Sequence, residues 1–174
     1  LEVLQKWMLT TDQEALGLLA CLIEDHAARI APPIPREIDW SFMREYYVRC
    51  LIENPQGHFV QDRYSAARGF VRHYHRVRRH SSACAELSEC RVALENLLTK
   101  GDPDLNECVI TGVLEHLFQE PTAAKDFEGW KNSADFKPVY EKTIFAAETM
   151  NKILLRIDQE APSEADKIAL LLKD

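Results

Sequence analysis

The chain has only six glycines in 174 residues, and they are scattered singly. No GxGxxG turn or GxxxxGK[ST] loop is present, so the standard phosphate-cradling enzymes are disfavoured. The GxSxG elbow and the pairing of HxE with PCxxC are also missing, which disfavours nucleophile-elbow hydrolases and zinc deaminases. There is no run of about 18 apolar residues, so no transmembrane helix is expected. The N-terminus lacks the basic, apolar and small-residue succession of a signal peptide. Cys21, Cys50, Cys84, Cys90 and Cys108 form an odd set without CxxC or CxxxxC pairs. They read as reduced thiols of a cytoplasmic protein. No histidine or acid flanks them in a recognisable frame, so neither a metal nor a nucleophile role is expected of them. Alternation of apolar and polar residues long enough for a strand is lacking too.

What remains is helical. With 46% hydrophobic and 28% charged residues, the composition is that of one globular domain large enough to bury a core without disulfides or metal. A capping box at Thr11-Asp-Gln-Glu14 opens the first secure helix, and Pro32-Pro33 stops it. Asp39 is expected to cap a second helix that ends before Pro55. A third runs from about Asp62 to His80, and Ser81-Ser82 caps a fourth that Gly101 terminates. Asp102-Pro103 launches a fifth, which lasts to Pro121. Residues 121–137 read as an irregular connection, Pro138 begins a sixth helix, and a short final helix follows Ala161-Pro162-Ser163. The fold class is therefore all-α: a single-domain bundle of about six to seven mostly antiparallel helices. Gly17, Gly69 and Gly112 lie inside helical patterns, where close approach of two helices is the expected reason for them.

The net charge of -7 conceals segregation. Residues 63–85 carry 6 basic and no acidic groups, whereas residues 101–174 carry 8 basic and 15 acidic groups. On a helical wheel Ala67, Phe70, Val71, Tyr74 and Val77 share one side of the third helix, and Arg68, Arg72, His75, Arg76 and Arg79 gather opposite. Arginines spaced by three or four residues repel one another, so an anion or nearby carboxylates are expected at this face. Acids from another helix of the same protein are one answer. A nucleic acid or phosphate, bound also by Arg78, is the other. On the acidic side, Asp102, Asp104 and Glu107 complement a helix dipole, but Glu115 and Glu120 are not explained that way.

No cofactor is expected. His73, His75 and His80 do not converge at i, i+3 or i+4 spacing, and the arginines around them repel a cation, so no metal is expected there either. Glu24-Asp25-His26 and Glu115-His116 set acids beside histidines without forming HExxH. An enzyme of unfamiliar design would draw on Asp25, His26, Glu115 and His116.

The segment Asn106-Glu-Cys-Val-Ile-Thr-Gly-Val-Leu-Glu-His-Leu-Phe118, followed by an irregular stretch and a helix bearing Tyr140, resembles small helical bacterial proteins of the toxin-immunity type. That resemblance implies a cytoplasmic inhibitor that binds a cognate toxin through a complementary surface, and it transfers no individual binding residue. The leading expectation is thus a non-catalytic protein-binding module, an immunity-like inhibitor or adaptor using Asp104, Glu107, Glu115 and Glu120. A nucleic-acid or anion-binding protein using Arg68, Arg72, His75, Arg76 and Arg79 is the alternative, and an unrecognised enzyme is the third. Ile168 and Leu170 to Leu172 also raise a homodimer, although core packing of a terminal helix is the commoner use of such residues.

Overall fold

The computed structural model describes residue 6 and residues 8–26, 34–80 and 84–160. The fold is all-α, and no strand occurs among the described residues. Three expected features lie outside them: the Pro32-Pro33 stop, the Ser81-Ser82 cap and the final helix after Ala161. Two compact units divide the chain, Leu1–Val113 and Leu114–Asp174.

The first unit begins with α1 (Gln13–His26), α2 (Arg36–Glu53), α3 (Arg63–Arg78) and α4 (Cys84–Leu98). It continues through α5 (Pro103–Cys108) into a π-helical stretch, Val109–Leu114. The most extensive helix pair is α2 on α3, where Met43, Tyr47, Cys50 and Leu51 of α2 are buried, as are Ala66, Phe70, Tyr74 and Val77 of α3. Close approach of a second helix explains Gly69 and Gly112, whereas Gly17 makes room for the backbone of the 57–60 turn. A Cβ at Gly69 would run into the Tyr47 ring, and one at Gly17 into the Phe59 carbonyl. One at Gly112 would stand 3.0 Å from the Ala67 Cβ.

Helix ends follow local chemistry at most boundaries. Asp62 caps α3 by accepting from Ser65 N at 2.8 Å, and Asp102 caps α5 by accepting from Asp104 N and Leu105 N, with Pro103 at the first helical position. Asn54 takes the left-handed conformation after α2 (φ 47°), next to Pro55. Arg63 adds a cap from outside: its guanidinium donates to the Leu51 and Ile52 carbonyls at 2.7 and 3.2 Å, filling acceptors that the end of α2 leaves open.

Two expected caps fall elsewhere. Asp12, rather than Thr11, accepts from Ala15 N at 3.1 Å at the start of α1. The Glu14 carboxylate accepts instead from His58 N and Phe59 N, tying down the 57–59 turn. At the second helix, α2 begins at Arg36, so Asp39 lies within its first turn and caps nothing. Tertiary contact claims Asp39, because Arg76 of α3 reaches it.

The fifth helix, expected to be regular to Pro121, keeps its helical path but widens to π spacing over residues 109–114. Here Thr111 Oγ1 donates to the Glu107 carbonyl at 2.9 Å, a side-chain bond that competes with the α ladder, and Gly112 offers no side chain to resist the distortion.

The second unit contains α6 (Glu115–Phe118), α7 (Pro121–Ala124), a 3₁₀ helix (Lys125–Asn132) and α8 (Lys137–Glu160). The connecting stretch 121–137 is thus helical through Asn132. Phe127 and Trp130 hold it in place: Phe118 packs on Phe127 and on Tyr140, each at 5.3 Å between ring centroids, and Trp130 stacks on Phe136 at 5.0 Å. No described helix is long and apolar enough to cross a membrane.

Candidate functional site

The cationic face of α3 finds much of its counter-charge inside the first unit. Arg72 pairs with Glu24 of α1 at 3.1 Å, and Arg76 with Asp39 of α2 at 3.0 Å. The amphipathic pattern therefore carries helix packing as well as a charged surface. Arg68 and Arg79 remain exposed with no ion pair among the described residues, while His75 is half-buried. The anion-binding set is thus split, since its two central arginines, Arg72 and Arg76, already hold carboxylates.

The acidic candidates are split as well. Asp104 and Glu107 are exposed on α5 of the first unit, whereas half-buried Glu115 and exposed Glu120 belong to the second. His116 is exposed, and the side chains of Asp25 and His26 lie outside the described residues.

Behind the arginines, α2, α3 and α4 enclose a buried polar cluster. Its centre is Glu86, with its side chain 12% exposed, whose Oε2 accepts from Arg44 Nη1 at 2.8 Å. The other oxygen, Oε1, faces His73 Nε2 at 3.7 Å and the Cys90 Sγ at 3.8 Å. On its far side His73 Nδ1 lies 3.4 Å from Arg76 Nη2, the nitrogen that also holds Asp39. His73 Nε2 and Arg76 Nε are buried without a hydrogen-bond partner. Burial is the largest influence on His73 and holds its pKa below the ordinary 6.5, against the opposing pull of Glu86. Burial also pushes the Cys90 thiol well above the usual thiol range, with the Glu86 charge adding to it.

A histidine and an acid therefore do stand beside one cysteine, contrary to the expectation from local frames. His73 comes from α3 across the packing interface, which no spacing rule within one helix reveals. Glu86 and Cys90 are at i, i+4 and share a face of α4, and that was the legible half of the signal. Although Cys, His and Glu make up the inventory of a thiol nucleophile, Cys90 is fully buried and its thiol is held protonated. No substrate reaches the sulfur as folded, so the arrangement does not work as a nucleophilic triad. Cys50 and Cys108 are free, buried thiols pushed upward by burial, Cys108 to about 11, and they are inert packing residues.

A second feature lies within the Leu114–Asp174 unit. Between α6 and α8 runs a groove of about 340 Å³. Phe145, Ala146, Ala147, Met150 and Ile153 give it an apolar lining, joined by Glu115, Gln119, Lys142 and Thr149. Phe145 is 72% exposed and Leu155 61%, large apolar areas for side chains on one helix. Asn151 Nδ2 donates to the Gln119 carbonyl at 3.2 Å and fixes α8 against the end of α6.

Comparison with protein-family models, curated proteins and solved structures gives no match to this chain.

Proposed function

We propose that the protein is a non-catalytic binding module, of adaptor or immunity-like inhibitor type, that receives an amphipathic helix of a partner protein in the α6/α8 groove. The observation that supports this reading is the apolar surface of α8. Along Lys142 to Ile153 the groove spans about 16 Å, or three helical turns, at 1.5 Å per residue. Apolar anchors at i, i+3, i+4 and i+7 of a partner helix match such a groove. Glu115 and Lys142 in its lining supply charges of both signs that orient a ligand. Of the four acids expected to face a partner, Glu115 is the one at this groove. The cationic helix favours the nucleic-acid alternative less, because Arg72 and Arg76 would have to leave Glu24 and Asp39 to reach a phosphate.

The test is a photo-crosslinking amino acid placed at Phe145 and, as a control, at exposed Val92 of α4, in cells of the source organism. A discrete adduct from position 145 that disappears on adding Met150→Asp and Ile153→Asp supports the groove. Equal labelling from both positions, or none from 145, rejects it. An adduct between two copies of the chain would make the groove a self-association surface instead.

A further inference from the structure

We propose that His73, Glu86 and Cys90 form a binding site for a divalent transition metal of zinc type. Their ligand atoms all lie within 4.8 Å of one another. Donors about 2.0 to 2.3 Å from a tetrahedral zinc stand about 3.3 to 3.8 Å apart. Two edges of this triangle already have that length, His73 Nε2 to Glu86 Oε1 at 3.7 Å and Cys90 Sγ to Glu86 Oε1 at 3.8 Å. The mixed nitrogen, oxygen and sulfur set selects zinc or cobalt over magnesium or calcium, which prefer oxygen alone. Within this triangle His73 Nε2 is buried and makes no hydrogen bond, standing 3.7 Å from Glu86 Oε1, so that the ring has an unsatisfied nitrogen at the site.

The neighbouring charges set the terms of binding. Arg44 holds Glu86 through Oε2 and leaves Oε1 facing the triangle. Arg76 must give up its long contact with His73 Nδ1, so that the ring proton moves from Nε2 to Nδ1, and it keeps Asp39 at 3.0 Å. The Cys90 thiol must lose its proton to become a ligand. Binding therefore exchanges one divalent cation for one proton, and a thiolate and a carboxylate offset the metal's charge.

The experiment titrates the reduced, metal-free full chain with cobalt(II) and follows absorption, then displaces cobalt with zinc and records zinc-edge X-ray absorption. The expected result is a thiolate-to-cobalt charge-transfer band that saturates at one cobalt per chain, with release of one proton. Cys90→Ala should abolish the band, Cys108→Ala should retain it, and Glu86→Gln should weaken binding at least tenfold. Absence of the band from the wild type, or its persistence in a folded Cys90→Ala, overturns the site. Should Cys90→Ala fail to fold, the wild-type zinc spectrum decides: one sulfur neighbour supports the site, and a shell without sulfur overturns it.

Discussion

Removing the carboxylate of Glu86 should be among the most damaging single changes to the first unit. Both members of the Arg44–Glu86 pair are largely out of water, with side chains 14% and 12% exposed, and the charges approach to 2.8 Å. At an effective dielectric of about 20, the gross attraction at that distance is about 6 kcal/mol. Desolvation of the two groups consumes much of this. Glu86→Ala, however, leaves the buried Arg44 with only a long contact to exposed Glu45 at 3.9 Å and strips His73 and Cys90 of their shared neighbour. A cost of about 3 kcal/mol is expected, a large part of the 5 to 15 kcal/mol that hold a typical domain folded. Arg44→Leu/Glu86→Leu removes both charges and should recover most of that loss. Because two units invite two transitions, the assay is urea unfolding read by Trp40 fluorescence in a Trp7→Phe/Trp130→Phe background, Trp40 being packed against Val77 and Leu87 of the first unit. If Glu86→Ala costs less than about 1 kcal/mol, the pair is screened as a surface pair is, and the reasoning from burial fails.

Protonation of His73 should destabilise the same unit. Its folded pKa lies below 6.5, so the unfolded chain binds the proton first, and stability should fall as pH drops from about 6.5 toward the folded value, by at most about 1.4 kcal/mol per pH unit. Chemical unfolding across that range should show the slope in the wild type and lose it in His73→Gln. Arg72→Ala should cost no more than about 1 kcal/mol, since Arg72 is 60% exposed, whereas Arg76→Ala should cost more because it strands buried Asp39; paired denaturation curves test the order. Gly69→Ala should cost about 1 to 3 kcal/mol through collision with the Tyr47 ring, and a melting temperature equal to wild type would count against that packing.

Local chemistry in the sequence determined the elements. Pro55, Asp62, Asp102 and Pro103 mark helix ends because each acts within four residues of itself, and the 3.6-residue apolar period of residues 63–80 identifies the buried side of α3 without reference to any neighbour. Where local rules mislead, a longer-range partner wins over a local one: Asp39 serves Arg76 instead of a helix end, and Glu14 serves the 57–59 turn. Segregation of charge was likewise visible, but not its meaning, since only packing of α3 on α1 and α2 shows that Arg72 and Arg76 are neutralised from within. The Glu86–Cys90 spacing was readable on α4, but the meeting with His73 was not. A histidine thirteen residues upstream on another helix comes within reach only through the side-by-side packing of α3 and α4, and the energy of that packing belongs to the whole interface.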